Sequence, residues 1–275
     1  LAAGAAVAVL ATARPGRAGF VVFSAGGDNT AASIQPTVDA FRAALGAPNN
    51  GNAPGPLGSG RREINWDGGG SLVASPAGTP FNGFRNIRGA SFTTPGSGFL
   101  QTPLDAPELL DINPTYGTTF GVFSPARIFV PLDSTVTDTT FSIPGTGGAA
   151  PATVAGFGAV FTDVDLAGAT TIELFGFGGN SLGVFDVPTG TTADGSLSFL
   201  GIVGDAGERI ARVRITTGNT ALGPDDDPTG GVDVVGMDDF FFSEPQAVPE
   251  PASLALAGTG LLGLAGWARR RRAAA

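Results

Sequence analysis

The chain has 275 residues, no His, no Cys, 15 basic residues that are all Arg, and a net charge of −9. Those absences exclude the Ser-His-Asp triad, thiol nucleophiles, disulfides, ordinary zinc, haem and iron-sulfur sites and, with no Lys, Schiff-base and Walker-lysine chemistry. The acidic balance also argues against nucleic acid as a partner, because phosphate affinity comes from clustered cations. With 42% hydrophobic and 14% charged residues the chain can still bury a core.

Residues 1–11, LAAGAAVAVLA, form a short apolar run that leads into Ala11-Thr12-Ala13, a small-residue cleavage pattern. The run is too short to span a bilayer and predicts a signal peptide over 1–18. The charged stretch that normally precedes such a run is missing, which predicts a truncated start or an alternative initiation codon. The competing reading is a buried N-terminal helix or strand.

Residues 19–246 are expected to form one exported domain. Nine Arg stand there against 23 Asp and Glu, a net charge of −14. Ser33 to Gly46 predicts one helix with Ile34, Val38, Phe41 and Leu45 on a single stripe, Pro36 in its first turn and Gly46 at its stop. Residues 46–62, rich in Gly, Pro and Asn, predict a long loop. Beyond them, apolar runs rich in Val, Ile, Phe and Thr recur between turn-formers. They predict strands near 119–124, 127–131, 136–143, 154–164, 170–176, 182–187, 196–203, 208–216 and 232–242, with further strands at 63–66, 81–84 and 90–94. That pattern, without a fixed-period repeat, predicts a mainly β fold, an antiparallel sandwich or jelly roll. Alternation over 208–216 puts Ala211, Val213 and Ile215 on one face and Glu208, Arg212 and Arg214 on the other, so one sheet face is wet.

Two motifs resemble catalytic fingerprints in spelling alone. Gly179-Asn180-Ser181-Leu182-Gly183 has the spacing of a nucleophile elbow but precedes a strand and has no His to act as base. Gly258 to Gly263 has the spacing of a dinucleotide loop but lacks the strand before it and the acid after it. The acidic residues carry more information. Strand period places Asp163 and Asp165 on the side of Phe157 and Phe161, at the rim of the core, where an unpaired charge is costly. Either Ca2+ or an Arg would relieve that cost. Asp225-Asp226-Asp227 and Asp238-Asp239 add hard oxygen donors; Asp163, Asp165, Asp225 and Asp238 are the candidate Ca2+ ligands, with Arg pairing or solvated turns as the alternative. Trp66 and Tyr116 are the candidate sugar platforms, and burial in the sheet is the competing reading. Arg61, Arg62, Arg85 and Arg88 either hold anionic polysaccharide or form surface ion pairs.

At the C-terminus, Val248, Pro249, Glu250 and Pro251 precede an uncharged stretch, 252–268, closed by Arg269, Arg270, Arg271 and Arg272. As a helix that stretch is about 25 Å long, at the short end for a membrane span, and the Arg cluster would stay on the cytoplasmic side. The combination resembles the PEP-CTERM sorting signal of Gram-negative bacteria. The segments GFGAVFTDVD, GNSLGVFDVP and GMDDFFF are similar, more weakly, to the β bodies of other such exported proteins. The resemblance implies a body held outside the inner membrane by a transmembrane helix until exosortase, a membrane protease, cuts near Pro249-Glu250-Pro251 and releases it to the surface or matrix. The expected role is a non-catalytic surface or matrix protein associated with exopolysaccharide. The alternatives are a Ca2+-assisted lectin-like module and a carboxylate-dependent glycoside hydrolase or lyase.

Overall fold

The computed structural model describes residues 19–68 and 78–248. The signal-peptide stretch and everything from Pro249 onward, including the expected membrane span and the Gly258–Gly263 motif, lie outside the described residues.

The fold is mainly β, and every pairing between its strands is antiparallel. In chain order the elements are β1 (Phe20–Gly26), α1 (Ala31–Leu45), β2 (Arg61–Ile64), β3 (Ala90–Thr93), β4 (Gly98–Pro103), α2 (Pro107–Leu110), α3 (Tyr116–Thr119), β5 (Arg127–Leu132), β6 (Val136–Phe141) and β7 (Ala152–Thr153). They continue with β8 (Gly156–Thr162), β9 (Thr171–Phe175), β10 (Ser181–Asp186), β11 (Leu197–Gly204), β12 (Arg212–Thr216), β13 (Gly236–Ser243) and β14 (Gln246–Ala247). A seven-stranded sheet runs β1-β11-β8-β13-β5-β4, with β2 also paired to β13, and a five-stranded sheet runs β10-β9-β12-β6-β3.

The largest core lies between the two sheets. Phe157, Ala159, Phe161, Leu200, Ile202, Phe240 and Phe242 of the larger sheet meet Phe92, Phe141, Ile172, Leu174, Val213 and Ile215 of the smaller one. The outer face of the larger sheet's central strands is dry as well. Val160, Phe199 and Phe241, the alternate residues of the same strands, pack under Ile34, Val38, Phe41 and Leu45 of α1. Strands covered on both faces lose the apolar-polar alternation, which is why 236–243 reads as a continuous apolar run interrupted by two aspartates. The smaller sheet keeps its alternation: Val213 and Ile215 are buried, while Arg212 and Arg214 face outward and both hold Asp138 of β6, at 2.6 and 2.8 Å.

Several expectations need correction. Residues 119–124 are no strand: the short α3 ends at Thr119, and the chain then runs irregularly, held by β13. Residues 81–84 contribute a single bridge, Phe81 to Phe92, before a turn. The expected 154–164 strand is shorter, because β8 ends at Thr162 and Asp163 takes a left-handed φ of 67°. Helix α1 starts two residues early, so Pro36 falls in the second turn instead of the first. Strands β1 and β4 had no counterpart in the sequence reading. The sequence of β4, GFLQTP, ends on Pro and starts on Gly, and only its pairing with β5 makes it a strand. The Gly179–Gly183 motif is the β9–β10 turn running into β10, so Ser181 sits at a strand start.

Candidate functional site: two buried carboxylate centres

Where β8 ends, the left-handed turn at Asp163 folds its carboxyl inward. The Asp163 backbone N–H donates to Ser196 O at 2.9 Å, and its Oδ1 accepts from Gly195 N at 3.2 Å. Its side chain is fully buried, and Oδ2 has no hydrogen-bond partner among the described residues. The turn also resets the strand alternation: Val164, instead of Asp163, enters the core.

The loop between β12 and β13 brings two further carboxylates to this point. Asp226 Oδ1 accepts from Val234 N at 2.8 Å, and Asp233 Oδ1 accepts from Asp165 N at 3.2 Å. One carboxylate oxygen from each of Asp163, Asp165 and Asp226 lies within 4.8 Å of the others. Asp233 is fully buried beside them, and its Oδ2, like that of Asp165, lacks a partner. No ion pair among the described residues involves any of the four. Burial, compounded by the charges of Asp165, Asp226 and Asp194, pushes Asp163 up to about 9. Burial first, then neighbouring carboxylates, pushes Asp165 and Asp233 to about 6 and raises Asp226. Oxygen donors without a cation partner are the chemistry of a hard-metal site.

A second centre sits on β13. A register shift against β8 between Met237 and Phe240 inserts one extra residue and re-aims the adjacent Asp238 and Asp239. Asp238 Oδ2 accepts from Phe123 N at 2.6 Å and Ser124 N at 3.3 Å. The Ser124 hydroxyl donates to Asp239 Oδ1 at 2.6 Å, and Asp67 Oδ1 accepts from Ala126 N and Arg127 N. These bonds tie residues 123–127 to the sheet. Burial and the neighbouring Asp239 charge push Asp238 well above the carboxylate range, and burial raises Asp239 to about 6. Asp239 opens onto a polar cleft of about 360 Å³ that it shares with Arg42, Glu63 and Arg88. There Arg42 Nη2 lies 3.1 Å from Glu63 and 4.0 Å from Asp239.

The Asp238–Asp239 pair sets a direction for pH. Unfolded aspartates ionise near pH 3.9, whereas the folded pair keeps a proton up to about pH 6 or beyond. Between those values the folded state binds more protons than the unfolded one, so this pair's contribution to stability falls as pH rises from about 4 to 6. Arg42, Glu63, Asp67 and Ser124 face the pair and stay the same in the native chain and in an Asp239→Asn variant. Asp239→Asn is expected to flatten the fall. Unfolding midpoints of both proteins, measured from pH 4 to 7 in saturating Ca2+, check this, and parallel profiles would contradict it.

The structure places the remaining sequence-predicted residues elsewhere. Asp225 is not a neighbour of Asp163: its Oδ1 accepts from Asn113 Nδ2 at 2.8 Å, and the adjacent Asp226 occupies the cluster instead. Asp238 belongs to the second centre. Trp66 and Tyr116 offer no ligand platform, because both are fully buried. Trp66 stacks on Phe129, with centroids 3.8 Å apart, and donates from Nε1 to Asp238 O at 2.8 Å. The Tyr116 hydroxyl donates to Pro224 O and accepts from Gly223 N, both at 2.7 Å. Arg61 and Arg62 are paired with Glu63 and Glu244. Sequence reasoning offered Asp226 within the Asp225–Asp227 run but lacked the register to choose it over Asp225, and it missed Asp233, which had no signal. Val248 is the last described residue, so Pro249, Glu250, Pro251 and Arg269 to Arg272 lie outside the described residues.

The described structure is thus an acidic, mainly β body whose chain continues into a short C-terminal segment. That segment, residues 247–272, matches the family model of the PEP-CTERM protein-sorting motif. The motif implies an exported protein with a C-terminal anchor, processed by exosortase. No curated protein matches the chain. Among the described residues no helix is long and apolar enough to cross a membrane.

Proposed function

We propose that the chain is a non-catalytic protein of the cell surface or extracellular matrix. A transient inner-membrane anchor holds it, exosortase releases it, and its β body then works in association with exopolysaccharide. The sorting motif at 247–272 carries the reading. The body supports it in three ways. The chain has no His, Cys or Lys for the commonest catalytic machinery. Its exported Trp and Tyr are spent on packing, which weighs against the lectin-like alternative. Asp238 is fully buried and accepts from Phe123 N and Ser124 N, out of reach of a substrate, which weighs against the hydrolase alternative. Arg61, Arg62, Arg212 and Arg214 are all engaged by carboxylates, whereas Arg85 and Arg88 enter no ion pair among the described residues and are the candidate cations left to meet an anionic polymer.

Fractionation of an exosortase-bearing host tests the route. The native chain is expected at the surface or in the medium as a shortened body. A chain with Pro249, Glu250 and Pro251 all replaced by Ala is expected to stay full-length in the inner-membrane fraction. Equal distribution of the two would overturn the proposal.

A further inference from the structure

We infer that Asp163, Asp165, Asp226 and Asp233 form a Ca2+ site that locks the β12–β13 loop onto the end of β8. Acidic clusters are common on protein surfaces, but this one is distinguished by burial. Asp163 and Asp233 are both fully buried, and each leaves Oδ2 without a hydrogen-bond partner among the described residues. A buried carboxylate oxygen without a donor is costly, so Asp163, gathered with Asp165 and Asp226, and Asp233, whose Oδ1 is bonded to Asp165 N, each need a further partner. That partner is not an Arg, since no ion pair of the described residues reaches the four.

The donors also select the ion. All are carboxylate oxygens, which suits Ca2+ or Mg2+ and not the softer transition metals. Oxygens on opposite sides of Ca2+ stand about 4.6 to 5.2 Å apart, so three gathered within 4.8 Å fit one such ion. Mg2+ demands a tighter octahedron, about 4.0 to 4.2 Å across, and retains most of its water. Ca2+ also tolerates donors from irregular loops, and here two come from residues 163–165 and two from the stretch between β12 and β13.

The lock has a mechanical consequence. The same loop is anchored at Pro224 and Gly223 by Tyr116 and at Val234 by the core under α2 and α3. Without a cation, the crowded carboxyls must either hold protons or repel one another, and nothing draws this loop onto β8; with one, they draw it in. The export reading adds only where the ion is met: a site of the class that extracellular modules use, with dissociation constants of about 10⁻⁴ to 10⁻³ M, fills outside the cell. The site itself rests on the geometry.

The test uses the purified full-length chain in detergent, stripped with EDTA and titrated with CaCl2 or MgCl2. Calorimetry is expected to show one Ca2+ per chain, and 10 mM Ca2+ is expected to raise the unfolding midpoint by about 5 to 10 °C. Asp226→Asn, at a half-buried position, is expected to abolish the Ca2+ response while unfolding in EDTA at or above the native midpoint, because one like charge has gone. That second readout separates loss of the site from loss of the fold. Asp225→Asn, one residue away, is expected to keep the full response. Absence of Ca2+ uptake, an unchanged response in Asp226→Asn, or an equal response to Mg2+ would each overturn the assignment. None of these readouts depends on where the protein is delivered, so the site and the export route fail separately.

Discussion

Glu244→Ala is expected to lower the unfolding midpoint of the β body by about 6 to 20 °C, the equivalent of about 3 to 5 kcal/mol for a domain of this size. The reason is Arg62. Its side chain is fully buried, and its guanidinium meets Glu244 in a two-pronged pair, Nε to Oε2 at 2.7 Å and Nη2 to Oε1 at 2.8 Å. Removing the carboxylate strands a buried cation. The pair also carries the long loop: Arg62 Nη1 donates to Gly51 O, while Glu244 accepts from Leu57 N and Asn50 Nδ2. Protease nicking within 47–60 should therefore accelerate in Glu244→Ala. Replacing both partners by apolar residues, Arg62→Met with Glu244→Leu, should recover much of the loss, because it removes the stranded charge along with the pair. Additive losses in the double variant would show that the pair is well solvated and that the assigned cause is wrong.

Phe41→Ala is expected to cost about 3 to 5 kcal/mol, because its ring fills a slot cut into the sheet. Gly158 of β8 and Gly201 of β11 are register partners. A Cβ on Gly201 would stand 2.5 Å from the Phe41 ring, and one on Gly158 would stand 2.7 Å from it. Glycine in a strand ordinarily weakens it, but here the paired absence of side chains lets α1 settle directly on the backbone. Phe23, Phe199 and Phe41 then meet as a cluster, with centroids 5.4 to 5.6 Å apart. Gly201→Ala should cost about 1 to 3 kcal/mol by overpacking. Combined with Phe41→Leu, it should cost less than the sum of the two single changes, since the smaller side chain relieves the clash. Denaturant unfolding of the three variants checks this, and strict additivity would mean that helix and glycines do not share the slot.

How much of this was legible beforehand depended on the range of the interaction. The α1 stripe of Ile34, Val38, Phe41 and Leu45 was readable because a helix repeats its face every few residues, and all four are buried. The Arg212 and Arg214 face of β12 was readable for the equivalent reason in a strand. Alternation failed on β8 and β13, which are buried on both sides, and it failed again where the turn at Asp163 reset it. The carboxylate centre shows the same divide. Asp163 and Asp165 stood out as charges closing an apolar run, but nothing local distinguished Asp226 from Asp225.

By itself, then, the sequence determined the sorting motif and the broad class. A sorting motif is contiguous, and a mainly β pattern is a sum of short local preferences. The tertiary structure alone decided that Trp66 and Tyr116 are packing residues, that Arg62 and Glu244, 182 positions apart, share one buried pair, and that Asp226 and Asp233 join Asp163 and Asp165. Each of those depends on strands that are distant in the chain becoming neighbours in a sheet. Residue spacing carries no record of that pairing, because it is set by the burial of both sheet faces together.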